Sequence, residues 1–477
     1  MATPNFIKNQ RGQFSVELIF LAAIVVTLIA GFVSLAASFL QLSVRAQNNE
    51  QAFAIAEAGI DYYEWHLAYA PQDFTDGTGH AGPYVHQYYN KAGTQIGAFT
   101  LTIVPPPSGS TVVTITSAGT VLADPSVRKV IEVRLGIPSF AQYAWVLNSN
   151  VTFGSTAQVY GQIYSNAGVH FDGVAYNLVQ SALTTYNDPN NNNKNEWAVY
   201  TDGPPADPQP PAALPTSTSN VFLAGRAVGV PAIDFPGITQ NLQTIKSAAQ
   251  ASGTYFASST VLGYDLDFTT TTYSVYKVTA LASAARNCTN ADNQTGWGTW
   301  SIQSETLYAT GTIPQNGNMF FEDNLWVRGW IDNVRVTVAS GRFPVQQSTY
   351  SSIYVNNSLT YANFNGSDTI ALIAQNNITV GLNSDNNLTI DAALMAQNGW
   401  VGRYYYSSSC GSSYTRNQLT TLGIVGSNQQ SGFAYTNPTS GYQNRTYNYD
   451  ANLLYAPPPS FPLTTNSYSL VSWQQLQ

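Results

Sequence analysis

Charge is what this sequence has least of. Only 9% of its 477 residues are Asp, Glu, Lys or Arg, against about a quarter in an ordinary soluble protein. The 18 basic residues are outnumbered by 26 acidic ones, for a net charge of -8. No basic run or cluster occurs, which excludes nucleic acid as a partner, because binding it needs Lys and Arg to neutralise phosphates. Cysteine is nearly absent as well. Cys288 and Cys410 are the only two. They allow one disulfide, which an oxidising location would permit, or else two free buried thiols. The chain also lacks a phosphate-binding glycine loop, a Cys/His cluster and any locally supported Ser/His/Asp order. No catalytic residue, metal ligand or cofactor is expected from those absences.

What is present is apolar and aromatic. With 44% hydrophobic and 13% aromatic residues, disorder is excluded. Polarity comes from Asn, Gln, Ser, Thr and 30 Tyr, and 9 Trp add to the aromatic content. A wet, uncharged, aromatic surface of this kind suits an extracellular protein.

The longest hydrophobic run begins in RGQFSVELIFLAAIVV (residues 11–26) and continues to about residue 40. Residues 18–40 carry no charge and exceed the roughly 20 needed to span a bilayer as a helix. Lys8 and Arg11 precede it, so the N-terminus is expected on the cytoplasmic side. The pattern then turns amphipathic rather than ending at a small-x-small cleavage site. Phe53, Ala56, Ile60, Tyr63 and Leu67 recur at steps of three and four, one helical face. The spacing predicts a single helix over 13–70, about 80 Å long.

One acid, Glu17, stands in the leading edge of this run, five residues after Gly12. This arrangement resembles the N-terminus of type IV pilins and pilin-like proteins. The stretch AFAIAEAGI (residues 52–60) further resembles minor or accessory members. The resemblance implies a leader over 1–12, cut by a prepilin peptidase between Gly12 and Gln13. It also implies assembly with other pilin subunits through the helix, with Phe14 and Glu17 as assembly residues. The family usually has Phe or Met first in the mature chain; here Gln13 precedes Phe14. A buried carboxylate needs a partner or a proton. The α-ammonium of Gln13 in a neighbouring subunit would supply one and fix axial register.

Residues 71–138 alternate apolar and polar in QIGAFTLTIVP, STVVTITSAGTV and VRKVIEVRL. They read as a small antiparallel sheet of three strands with one face buried. His66, His80 and His86 fall in or near it without a carboxylate cluster. From 139 to 477 the chain is strand-rich with Asn, Asp and Gly turns. ALIAQN (371–376) recurs as ALMAQN (393–398), and NNSLTY (356–361), NNITV (376–380) and NNLTI (386–390) share a core. A period near 20 predicts a β-solenoid whose corner Asn side chains hydrogen-bond along the stack; a β-sandwich is the alternative. A Pro- and Asn-rich insertion occupies about 183–260, with a short helix expected over 238–250 and Gly253 as its stop. The blocks QIYSNAGVHFDG (162–173), VPAIDFPGIT, EDNLWVRGWI and YDANLLYAPPPSFP (449–462) resemble large pilin-like surface proteins of bacteria.

The expected fold is therefore α+β, mostly β: a long apolar helix, a small antiparallel sheet and a large solenoid-like body. The expected role is a non-enzymatic pilin-like surface protein, a minor or tip subunit or adhesin. It would sit first in the cytoplasmic membrane and then in an extracellular pilus, facing a surface glycan or host-cell ligand. The alternative is a membrane-tethered carbohydrate-active enzyme. Its acids would be Asp265 and Asp267, alternating on a strand, or Glu322 and Asp323 with Arg328 nearby. NDPNNNNKNE (187–196) sets oxygen atoms at alternate positions but lacks the glycine and spaced glutamate of a calcium loop.

Overall fold

A computed structural model describes residues 11–107, 110–218, 220–235, 241–436, 439–463 and 467–476. The expected leader therefore lies outside the described residues up to residue 10. The chain forms two compact units: Met1–Pro105 with Val113–Gly136 and Ser467–Gln477, and Pro106–Val112 with Ile137–Asn466.

In the first unit a single helix, α1 (Arg11–Tyr69), runs 59 residues without a break. Among the described residues it is the one helix long and apolar enough to cross a membrane. Its first half is exposed all round. Its second half buries Ala52, Ile55, Ala56, Ile60, Tyr63 and Leu67, a stripe at the helical repeat. Phe53, expected in that stripe, is half-buried at its edge, where its ring meets Trp473 at 6.2 Å.

The stripe packs on an antiparallel sheet of β1 (Tyr84–Tyr89), β2 (Gln95–Val104), β3 (Val113–Val121) and β4 (Asp124–Gly136). A fifth strand, Ser469–Gln475, pairs antiparallel with β4. Two strands thus join the three expected, and the end of the chain leaves the 139–477 body to complete the small sheet. Small residues set the approach of helix to sheet. A Cβ on Gly119 would lie 2.1 Å from the Ala52 carbonyl oxygen, and one on Gly59 would lie 2.3 Å from Ser117 Oγ. AFAIAEAGI is thus the part of α1 that can sit nearly backbone to backbone on β3.

The second unit is mostly β, and its pairings are mostly parallel. One ladder runs, in spatial order, through Arg226–Val228, Val179–Ser181, Ile163–Ser165, Trp145–Leu147, Thr415–Ser427, Asn387–Ala396, Thr369–Ala374, Arg335–Ser340, Asn318–Phe321 and Thr254–Phe256. Every step is parallel. Ala371 lies opposite Ala393 and Ala374 opposite Ala396, so ALIAQN and ALMAQN stack in register.

Both faces of this ladder are buried. Met319, Val338, Leu372, Leu394, Val425, Trp145 and Ile163 line up inside. Their neighbours Phe320, Ala339, Ile373, Met395, Val146 and Tyr164 face outward under a second layer. That layer contains the helix α2 (Asn241–Ser252), with Phe235, Leu453 and Phe461. Two-sided burial is why Thr369–Ala374 reads as an unbroken apolar run rather than an alternation. Leu242, Ile245 and Ala249 of the expected helix are buried against it; Ile238, its first expected position, lies outside the described residues.

The ladder is not in chain order. Residues 145–228 build one end outward and 254–427 build toward them from the other. The segment 229–253 carries α2 between the two ends. Thr415–Ser427 and Thr439–Tyr449 pair with Trp145–Leu147 and Ala157–Tyr160, joining the runs.

Candidate functional site

The residues expected to act in processing and assembly lie on the first turns of α1. Gly12 and Gln13 are part of its helical backbone. Phe14 is 70% exposed and Glu17 is exposed beside it. Phe20, Phe32 and Phe39 continue this uncovered apolar surface.

The body carries a cleft that sequence patterns did not reveal, with a volume of about 1,440 Å³. One side is made by the corners that follow successive ladder strands. Asn324 follows Asn318–Phe321, Asn376 follows Thr369–Ala374, Asn398 follows Asn387–Ala396, and Gln429 follows Thr415–Ser427. These corners are laced together: Gln429 Nε2 donates to the Asn398 carbonyl at 2.9 Å and Asn398 Nδ2 to the Gln375 carbonyl at 2.7 Å. Trp400 N–H donates to Asn377 Oδ1 at 3.0 Å. A second amide ladder, Asn166 to Asn148 to Asn428, has two links of 2.8 Å. Asn side chains therefore hydrogen-bond along the stack.

The other side is a loop, residues 282–301. Cys288 and Cys410 are joined by a disulfide, which ties this loop to the segment after Val401–Arg403. Hydrogen bonds hold it at several further points. Gln294 Nε2 donates to Tyr435 Oη at 2.6 Å, and Tyr405 N–H donates to Gln294 Oε1 at 2.7 Å. Trp297 Nε1 donates to the Tyr405 carbonyl at 3.0 Å. At the loop's end Trp300 stacks on Tyr354 at 4.6 Å, and its carbonyl accepts from Trp326 Nε1 at 2.9 Å. Trp300, Tyr350, Trp400 and Tyr435 are half-buried and line the cleft.

His170, which also lines the cleft, lies stacked on Tyr200 at 4.4 Å. Its ring nitrogens lie 3.2 Å from Asp172, 3.5 Å from Asp188 and 3.7 Å from Asp202. Burial works against the imidazolium, but bonding to Asp172 and Asp188 outweighs it, and the His170 pKa is raised to about 9. Burial opposes the Asp188 carboxylate too, yet His170, Tyr200 and the Asn190 N–H hold it down to about 2. Asp188 of NDPNNNNKNE is thus engaged within the protein: Tyr186 and Tyr200 donate to its Oδ2 and Asn190 N–H to its Oδ1. In the first unit His66 lies 3.1 Å from Asp73 and His86 lies 2.7 Å from Asp76. Among the described residues no group of three or more His, Cys, Asp or Glu is arranged to hold a metal.

The carboxylate pairs of the enzyme alternative are engaged separately. Asp265 and Asp267 do share a side, and Arg328 meets them at 2.9 and 3.2 Å and Glu305 at 3.1 Å. With three acids on one guanidinium, the most buried is the hardest to ionise. Burial of Asp265 raises its pKa far above the ordinary value despite Arg328. Glu322 instead pairs with Lys246 and accepts from Tyr255, and Asp323 pairs with Arg342 and accepts from Ser259. None of these four acids lines the cleft.

No family model matches the chain, and no curated protein does. Among solved structures it is similar to the competence-associated pilin ComZ from Thermus thermophilus. The identity is 13% and the TM-score 0.31, over 90% of this chain and 97% of that one.

Proposed function

We propose that this chain is a pilin-like structural subunit of a type IV pilus or related filament, and not an enzyme. The single observation that carries the reading is α1. Its first half is apolar and exposed on every side, it holds one carboxylate at its leading edge, and it continues into a packed second half. Such a cylinder needs an apolar surrounding along its whole circumference. A bilayer supplies that before assembly, and neighbouring helices supply it in a filament core. In this reading a prepilin peptidase cuts between Gly12 and Gln13, and Glu17 pairs with the new ammonium of a neighbour's Gln13. Leaving Glu17 unpaired in the apolar core would cost several kcal/mol.

The body would be displayed outward, and we read its parallel ladders as the coils of a β-solenoid. A headgroup of this bulk must be accommodated at every helical step of a major subunit. A minor or tip subunit, or an adhesin, escapes that limit. N-terminal mass spectrometry of protein from cells tests the reading: a mature start at Gln13 is expected, and an intact Met1 or a cut well beyond Leu40 would overturn it. Glu17→Ala is expected to leave membrane insertion intact and to reduce incorporation into filaments.

A further inference from the structure

The cleft of the body is too large for an ordinary small-molecule site. Its volume of about 1,440 Å³ exceeds the roughly 300–1,000 Å³ typical of such pockets. It has room for several linked units side by side. Two kinds of group line it. Trp300, Tyr350 and Trp400 offer aromatic surface, and Asn376, Asn398 and Gln429 offer amides.

Charge in the cleft is scarce, limited among its lining side chains to His170, Asp172, Asp292 and Arg445, two of each sign when His170 is protonated. His170 and Asp172 offset each other at 3.2 Å. The Arg445 guanidinium donates to the Tyr442 and Gln443 carbonyls and to Thr156 Oγ1. A strongly charged ligand would find little counter-charge there. A purely apolar ligand would leave unpaired the amide oxygens and second N–H groups that the corner bonds of Asn398 and Gln429 do not use, at a cost for each. A neutral chain of sugar rings satisfies both kinds of group. Its C–H faces lie on the aromatic rings, and its hydroxyls both donate to and accept from Asn and Gln.

We propose that the cleft binds an uncharged oligosaccharide, with Trp300 and Trp400 as stacking platforms and the corner amides of Asn376 and Asn398 reading hydroxyls. The Trp300 wall belongs to the loop pinned by Cys288–Cys410 and by Gln294, so oxidation of that pair is a condition of the site. This names the ligand class and location for the adhesive part of the reading above and rests on it. Its test uses purified chain, so its outcome is separable from N-terminal processing.

The full-length chain, in a detergent without a sugar headgroup, is titrated with neutral oligomers of glucose, galactose, mannose and N-acetylglucosamine, tetramers to hexamers. A proline-rich peptide serves as counter-probe, because aromatic grooves also bind such peptides. Tryptophan fluorescence and calorimetry are the readouts. At least one sugar series is expected to bind at micromolar to millimolar concentration. Trp400→Ala and Trp300→Ala are each expected to weaken binding about tenfold, the loss of one aromatic contact. Trp400→Phe, which keeps a ring, should retain most of it, and reduction of the disulfide should weaken it. The proposal is overturned if every sugar series fails at millimolar concentration, or if the peptide binds in their place. It is also overturned if Trp400→Ala and Trp300→Ala, with unchanged melting, bind as the parent chain does.

Discussion

The docking of α1 on β3 makes a prediction whose sign separates two physical effects. Gly119 lies in β3 without the positive φ that would demand glycine. By backbone propensity alone, Gly119→Ala should stabilise the strand by about 0.5–1 kcal/mol, because alanine loses less conformational freedom on folding. Packing argues the opposite. The new methyl would lie 2.1 Å from the Ala52 carbonyl oxygen and 2.5 Å from the Ala56 nitrogen. Ordinary contact needs more than about 1 Å of further separation. The obstructing atoms are backbone, so no rotamer change relieves them. The helix must lift along a stripe that includes Ala52, Ile55, Ala56 and Gly59, and overpacking of this kind costs about 1–3 kcal/mol. Packing wins, and a net loss of about 1–2 kcal/mol is expected. Amide hydrogen exchange along residues 48–67 reads this locally, independent of the body. Faster exchange confined to that stretch is the expected result. Unchanged or slower exchange would refute the claim that small residues set the helix-to-sheet distance.

Removing the disulfide with Cys288→Ser and Cys410→Ser opens a loop with a sequence separation of 122. The chain-entropy account puts its ceiling at about 4–5 kcal/mol, and a melting midpoint lowered under both mutation and reducing agent is expected; an unchanged midpoint would refute it. Stability of the body should also fall as pH rises. Asp391, raised to about 6 by burial from an ordinary 3.8, contributes stability below that ordinary value and loses it as pH climbs through 6. Asp265, raised to about 8 mainly by burial from an ordinary 3.8, does the same through 8, and His170, at about 9 from an ordinary 6.5, through 9. Thermal melts from pH 4 to 9 should show a declining midpoint, flattened above pH 6.5 in His170→Gln; a rising midpoint would contradict the assignment.

The long helix was legible because an apolar run followed by a three-four stripe has few other readings. The repeats were legible where the same residue types occupy equivalent places in successive strands, as Ala371 and Ala393 do. They misled where the motif was only a turn. Leu359 of NNSLTY does pair with Ile390 of NNLTI, whereas Ile378 of NNITV pairs with Ile353 and Val401, so two of the three Asn-Asn echoes are neighbours and the third lies in another ladder. Ser469–Gln475 escaped notice because every residue in it is exposed, which removes the alternation that marks a half-buried strand. Arg328 was placed beside Glu322 and Asp323 by sequence proximity. The parallel register sets it against Asp267 instead. The cleft could not be read at all, since its walls come from corners spread over 324–429 and from a loop tied across to them by a disulfide and several hydrogen bonds.

The out-of-order ladder has a consequence for synthesis. The strands made first, from Trp145–Leu147 to Arg226–Val228, present an open parallel edge that only Thr415–Ser427 and Thr439–Tyr449 will cover. Nearly two hundred further residues must emerge before that edge is closed. At about 5–20 residues per second, this leaves an aggregation-prone surface bare for tens of seconds. If α1 holds the chain at a membrane meanwhile, nascent chains are kept apart through this interval. The same helix would then act as a spacer during folding.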